Sequence, residues 1–501
     1  LQIEAPSAAP GGAPALGEAV SLQREDQERR QSLWRWLLLA ALALFVAENR
    51  QWAYWTPAGF YDSSFDGHKL FGWQINHGLN VLPEFFLAAQ FRNALEKPDV
   101  MEKLLQGGSL EEAFRLAQQP APAASQNAII DEYRLKPRVE ILAPRHDERV
   151  AGRTTTVRAA ITVRDGLELV PPKVFANGVS ARESRVVAED SVPGGRRVTY
   201  EWDAALPSDS RIVIQVVAAT EAKSAAFQSV TVDHTVDQPL TPRLFVFAAG
   251  VNHYQDAQIQ RLDYAVNNAE SVADAFRQRT DNLYRSEVVS LLDSQATRSM
   301  WKIVTSDYAE QLAQEVTPDD LLVVFLSGHG VRDEVTEKYY YIPADARYAD
   351  VMSQRYEDCM SFEDLAAFGD IPCRKLVILD TCHSGAVQQP LEQKDLKAAL
   401  RSLQDDLVFT LTASEGNQEA VEEKDRMLGR FTSRLLEALA GQADQTQYGG
   451  NKDGIVSLQE AVAYVQQTVQ ADSARDAYRQ FPTAGPIDLL PYVELPLTRG
   501  F

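Results

Sequence analysis

Two stretches decide how this chain is read. One is Leu321-Leu322-Val323-Val324-Phe325-Leu326-Ser327-Gly328-His329-Gly330; the other is Leu376-Val377-Ile378-Leu379-Asp380-Thr381-Cys382-His383-Ser384-Gly385. Each opens with an unbroken apolar run, the pattern of a strand covered on both faces. Each then runs into polar residues and glycines. Similar strands are expected at 244–251, 288–292 and 407–411. Between them, Leu262, Val266, Ala269, Ala273 and Phe276 recur at helical spacing, and Thr297 is expected to cap a helix reaching about residue 315. Strand–helix alternation of this kind specifies an α/β fold with a mainly parallel sheet. Its active site is expected off the carboxyl ends of the strands.

The residues just past the two apolar runs are a histidine between glycines, and a cysteine followed by a Gly-containing turn. A thiol needs a base to become a thiolate near neutral pH, and imidazole has a suitable pKa. Taken singly, a buried cysteine is most often inert and a lone histidine structural. Their joint placement at two successive strand ends is the signal, and it makes Cys382 and His329 a nucleophile–base pair. His383 is the rival base, but neighbours on a chain seldom direct their side chains at each other. Cys359 and Cys373 have no such context and read as structural.

At these residues the chain resembles the caspase-like cysteine peptidases, in particular the bacterial metacaspase and orthocaspase branch. The carrying motifs are Leu326-Ser327-Gly328-His329-Gly330 and Asp380-Thr381-Cys382-His383-Ser384-Gly385. Gly250-Val251-Asn252-His253-Tyr254, the helix 262–269 and Asp453-Gly454-Ile455-Val456-Ser457-Leu458 support them. The resemblance covers about 240–496. It implies that Cys382 attacks a peptide carbonyl, that His329 assists and protonates the leaving amine, and that the backbone N–H groups of Gly330 and Cys382 form the oxyanion hole. It also implies that Asp380 lines the pocket for the residue preceding the scissile bond, giving Arg or Lys specificity. The alternative is that Asp380 only caps the turn. Asn268 stands where many relatives carry a second acid, a departure that weakens basic selectivity or moves it to another acid. Lys394, Lys397 and Arg401 follow the catalytic turn and are the candidate self-processing positions; the alternative is a solvated helix.

No cofactor is expected. Gly449 to Glu460 matches a calcium loop at Asn451, Asp453, Gly454 and Glu460 but begins on glycine. The same residues hold Ser457-x-x-Glu460, a capping box for a helix over 458–469, which is the preferred reading. Calcium is left open.

Outward from this domain the pattern changes. Over 139–236, short β-branched runs (154–163, 174–177, 198–202, 211–218) alternate with turns such as Asn177-Gly178 and Pro193-Gly194-Gly195. That spacing suggests an immunoglobulin-like β-sandwich. Further upstream, 57–119 is rich in aromatic residues, more consistent with a packing surface than a ligand box, and Ser109 opens a capping box. The stretch 50–119 also resembles a segment that links a propeller of WD repeats to the peptidase in some bacterial relatives; no such repeats are present here. Leu33 to Val46 is an apolar run of about 14 residues, short of the roughly 20 needed to span a bilayer. It reads as part of a buried hairpin with 51–55; the alternative is a short membrane anchor at 33–46.

At 501 residues the chain has room for about three domains. The expected architecture is multidomain: 1–32 a disordered tail, 33–119 an aromatic-rich α+β hairpin and helix module, 120–136 a linker, 137–238 the sandwich, and 240–496 the caspase-like α/β domain. A formal net charge of −21 argues against nucleic acid as a partner. Only three cysteines, all in the last third of the chain, exclude a disulfide framework. With no leader pattern at the start of the sequence, the expectation is a reducing, cytoplasmic setting. The expected function is a cysteine endopeptidase acting on protein substrates after Arg or Lys, latent until an upstream protease or regulatory partner activates it. Stress, cell-death or antiviral settings follow by analogy with bacterial relatives. The alternative is a catalytically weak scaffold of the same fold acting in assembly or signalling.

Overall fold

Three antiparallel strands, Ala43–Val46, Trp52–Trp55 and Tyr61–Ser63, begin the part of the chain described by the computed structural model. It describes residues 42–47, 51–64, 67–76, 83–120, 128–181, 183–221, 224–235, 241–332, 338–382, 408–413, 421–475, 480–485 and 495–500. The chain divides into two units, 1–134 and 135–501.

In the first unit the aromatic residues form a core. Trp55 stacks on Phe71 at 4.8 Å, and Tyr61, Trp73, Phe86 and Phe91 meet edge-on or tilted around them. The hairpin forms, but its first strand is not buried. Leu44 is 69% exposed and Val46 62%, because Ala43–Val46 is the sheet's edge and no described residue covers it. Residues 33–41 lie outside the described residues, and no described helix is long and apolar enough to cross a membrane. Ser109 caps helix Leu110–Leu116 by accepting the Glu112 N–H. The stretch read as a linker holds a helix, Ala128–Leu135, because Ile129 and Tyr133, four apart, pack against the aromatic core.

The second unit opens with two facing sheets. One has the order Val179–Ser180, Leu169–Ala176, Arg211–Thr220, Ala225–Thr235, Arg149–Ala151; the other has Ser184–Val192, Gly195–Ala205, Thr154–Arg164, Arg138–Ala143. Trp202, Val157, Ile212, Ile214 and Val232 fill the space between them. Asn177 and Gly178 both take positive φ, the requirement of the two-residue hairpin turn they make.

The larger sheet follows, with parallel strands β1 (Arg243–Gly250), β2 (Arg285–Leu292), β3 (Leu321–Arg332), β5 (Arg374–Cys382) and β6 (Phe409–Thr412), closed by antiparallel β7 (Thr483–Gly485). Its order is β2-β1-β3-β5-β6-β7. A short strand β4 (Tyr339–Tyr341) pairs antiparallel with the far end of β3. Alternation sorts the strand residues. Leu244, Val246, Leu321, Val323, Phe325, Leu376 and Ile378 share one core with helices α1 (Ala265–Arg279), α4 (Arg430–Leu439) and α5 (Leu458–Ser473). On the other face Phe247 meets Trp301 of α2 (Arg298–Ile303) and Tyr308; a π-helical turn, Val304–Tyr308, joins α2 to α3 (Ala309–Glu315). Thr297 caps α2 as expected.

Two expectations shift. The first helix begins at Ala265, not near Leu262, because the Asn252 side chain accepts the Val266 N–H and sets its start. The strand does not stop with the apolar run at Leu326: Ser327–Gly330 continues β3, held there by pairing with β4 and β5.

At the amino ends of these strands the sandwich is fastened by buried charge. Arg374 pairs with Asp209 at 3.4 Å and donates to the Asp319 carbonyl. The Asp319 carboxylate accepts the Ser208 N–H (2.6 Å), the Ser208 hydroxyl (2.8 Å) and Arg153 (3.2 Å). Phe175 and Val213 of the sandwich join the core of the larger sheet.

Candidate active site

The face of the sheet that packs on α1 continues, two residues at a time, from Phe325 to Ser327 and His329 and from Ile378 to Asp380. Because β3 and β5 are parallel and paired in register, His329 and Cys382 are Cα partners, as are Ser327 and Asp380. The two residues singled out in the sequence therefore stand side by side at the carboxyl edge. Gly330 lies one step further, opposite Tyr341 of β4.

His329 is 1% exposed and held on three sides. Its ring stacks on Tyr254 at 5.3 Å, and its backbone N–H donates to the Tyr254 hydroxyl at 3.1 Å. Nε2 lies 2.7 Å from the carbonyl oxygen of Gln260. A carbonyl can only accept, so Nε2 carries the proton and Nδ1 presents its lone pair. Among the described residues Nδ1 has no hydrogen-bond partner. Burial pushes the imidazole pKa below its usual value, partly offset by the Gln260 bond, so the ring is neutral near pH 7.

Asp380 is also 1% exposed. Its Oδ2 accepts the Thr432 hydroxyl (2.5 Å) and the Asn268 amide (3.1 Å). Burial, opposed by the Thr432 bond and helped by the charge of Glu422, raises its carboxyl to about 6. No described Lys or Arg side chain pairs with it. The carboxylate lies beneath Gly429, where a Cβ would stand 2.9 Å from Oδ2. Asn268 uses both ends of its amide: Nδ2 donates to Asp380 and to Ser327 Oγ (3.2 Å), and Oδ1 accepts the Gly429 N–H (2.9 Å). An aspartate at 268 would set two carboxylates against each other where only one can ionise. The departure seen in the sequence thus has a local cause.

Cys359 and Cys373 are buried, and burial pushes both thiols up to about 12. Lys394, Lys397, Arg401 and His383 lie outside the described residues. In the calcium-like loop, Glu460 accepts the N–H groups of Asn451 (3.0 Å) and Ser457 (2.9 Å), and Ser457 accepts the Glu460 N–H, which completes the capping box. Among the described residues no three His, Cys, Asp or Glu side chains group to hold a metal ion.

The sequence did not point to Gln260, Thr432 or the tyrosines of β4. A backbone carbonyl such as that of Gln260 carries no residue signature. Tyr254 stood within a quoted motif, but without a role.

Fold and site together define an α/β domain with a cysteine and a histidine paired in register at the carboxyl edge of its sheet. The family model of the caspase domain matches residues 245–486, and this part of the chain belongs to the caspase-like cysteine peptidases. Its class is therefore a cysteine peptidase, a hydrolase whose substrates are proteins. Among solved structures, pro-sf-caspase-1 is similar at 14% identity, over 49% of this chain and 90% of that one, with a TM-score of 0.29. Murine CRIg is similar at 16% identity over 20% of this chain and 98% of that one, with a TM-score of 0.13. The periplasmic chaperone SfaE is similar at 14% over 22% and 66%, with a TM-score of 0.14. No curated protein sequence matches the chain.

Proposed function

We propose that the domain cleaves peptide bonds after Arg or Lys through a Cys382–His329 dyad, and that it is latent in this conformation. His329 Nδ1 takes the thiol proton of Cys382, and the thiolate attacks the scissile carbonyl. The backbone N–H groups of Gly330 and Cys382 hold the oxyanion, charge that develops only on the way to the tetrahedral intermediate. The C–N bond then breaks as the imidazolium protonates the leaving amine. Water, losing a proton to Nδ1, opens the thioester and restores the thiol.

The observation that carries this reading is the hydrogen-bond pattern of His329: one nitrogen tied to Gln260, the other unpartnered, beside the Cys382 backbone. Basic specificity is supported by Asp380. A buried carboxylate without a cation is costly, and a substrate guanidinium or ammonium supplies the missing charge. Latency is supported by the cover over that carboxylate, since Gly429 and Thr432 must part from it before a side chain enters. The immunoglobulin-like character of the sandwich belongs to the same proposal; its place at the opposite end of the strands suits a module that binds partners without touching the site.

The test is hydrolysis of fluorogenic peptides ending in Arg, Lys or Asp. Wild type and Cys382→Ala are compared, before and after limited proteolytic nicking and with and without millimolar calcium. Cleavage after Arg or Lys that appears or rises on nicking and is lost in the variant is the expected result. Cleavage only after Asp overturns the role of Asp380. Silence under every condition overturns the peptidase reading in favour of a scaffold.

A further inference from the structure

The face of the sheet opposite His329 has a feature that the dyad does not explain. Gly328 and Gly330 lie two apart on β3, on the face away from His329, and Tyr339 and Tyr341 lie two apart on β4. In the antiparallel pairing Tyr341 stands opposite Gly330 and Tyr339 opposite Arg332. Each tyrosine leans diagonally by two residues, the reach that neighbouring strands allow long side chains. The Tyr341 ring crosses Gly328, where a Cβ would lie 2.9 Å from its hydroxyl, and that hydroxyl donates to the Ser327 carbonyl at 3.0 Å. The Tyr339 ring crosses Gly330, where a Cβ would lie 1.7 Å from its hydroxyl and 2.3 Å from Cζ. That overlap is impossible for any other L-residue without moving the ring. Having crossed Gly330, the Tyr339 hydroxyl donates to Thr381 Oγ1 at 3.1 Å, and both residues are buried.

We infer that Tyr339 is a positioning residue for catalysis, a brace that spans from the strand end carrying His329 to the one carrying Cys382. Thr381 immediately precedes Cys382, so a bond anchored on its hydroxyl fixes the rotation of the last residues of β5. The described part of the parallel ladder between β3 and β5 runs to His329 and Cys382. Tyr339 supplies a further tie at that point from the back of the sheet. The inference also gives Gly330 a second reason to be glycine, independent of any oxyanion role: it clears the path of the ring. This rests on the dyad reading above.

The test is a double-mutant cycle of Tyr339→Phe and Thr381→Val, read as kcat and KM on an Arg-ending fluorogenic peptide. It is paired with the rate of Cys382 alkylation by iodoacetamide at fixed pH and with heat unfolding. Misplacing a nucleophile by a fraction of an ångström is felt in kcat rather than KM. Each single variant is therefore expected to lose about tenfold in kcat with KM unchanged, and the double variant to lose no more than either. Full kcat in Tyr339→Phe, or losses that multiply in the double variant, overturns the inference. Equal falls in melting temperature with unchanged kcat also overturn it, since they assign the pair to stability alone. The alkylation rate separates this from failure of the dyad reading. If wild type cleaves nothing but the two variants still change Cys382 reactivity together, the brace stands and the peptidase reading falls. If neither activity nor reactivity responds, the brace falls.

Discussion

The same strands β1, β3 and β5 treat charge in opposite ways at their two ends. At the amino ends buried charges meet partners: Arg374 with Asp209, Arg243 with Asp320 at 3.0 Å, and Asp319 with Ser208 and Arg153. At the carboxyl ends the buried groups are left short. Asp380 has hydrogen bonds but no described cation, and His329 keeps one nitrogen unpartnered. Paired charge at one edge fastens the sandwich to the sheet. In the reading proposed above, the groups left short at the other edge await a substrate. The contrast separates what stabilises the domain from what the domain does.

The largest expected effect lies at the carboxyl edge. Cys382→Ala should lower hydrolysis on the order of 10⁶-fold, as loss of the nucleophile does elsewhere, with the melting temperature nearly unchanged. At the amino edge the reverse is expected. Arg374→Met leaves Asp209 buried without its cation, a change that typically costs about 3–5 kcal/mol. Denaturant unfolding should show that loss, while the activity of the molecules that remain folded is retained. A fall in kcat matching the fall in stability would break the division between the edges.

Asp380→Asn sharpens the comparison, because it moves stability and function in opposite directions. The native carboxyl, raised to about 6 from 3.8, holds its proton more tightly than the unfolded chain does. Its contribution is fully present below about pH 4 and is lost as pH rises through about 6. At pH 8 the buried carboxylate is ionised and unfavourable. The asparagine, which still accepts from Thr432 and Asn268, should then be more stable by about 3 kcal/mol at 1.4 kcal/mol per pKa unit. The gain should vanish near pH 4, and cleavage after Arg or Lys should fall. Urea unfolding at pH 4 and pH 8 measures the first, and the peptide panel the second. The smallest effect is expected away from both edges. Ser457→Ala removes the cap of α5 and should cost about 1 kcal/mol, without changing activity at saturating substrate.

How much of this was legible in the sequence depended on what kind of signal each feature leaves. Apolar runs at 321–326 and 376–379 announced buried strands, and the residues following them marked the positions that the strand register sets side by side, because side-chain identity and period are written in the chain. The sandwich strands were legible through β-branched runs and Asn-Gly and Pro-Gly turns. The continuation of β3 through Ser327–Gly330 was not, since a serine and two glycines interrupt the apolar run that marked the strand, and only the pairing with β4 shows that it goes on. The helix Ala128–Leu135 was hidden by the prolines before it, and the start of α1 by a cap, Asn252, 13 residues upstream. The Gln260 carbonyl and the tyrosines of β4 were beyond reach for a different reason. Their roles come from tertiary proximity, and a carbonyl or a Tyr-Tyr-Tyr run has no pattern that names its partner.

The central claim is that His329, through its free Nδ1, activates Cys382, and the thiol itself reports this without any choice of substrate. Because burial pushes Cys359 and Cys373 up to about 12, iodoacetamide between pH 5 and 9 should reach Cys382 alone. Its alkylation rate against pH should show a thiol pKa well below the ordinary value of about 8.5 in wild type, returning toward that value in His329→Ala. Identical profiles in the two proteins would contradict the account.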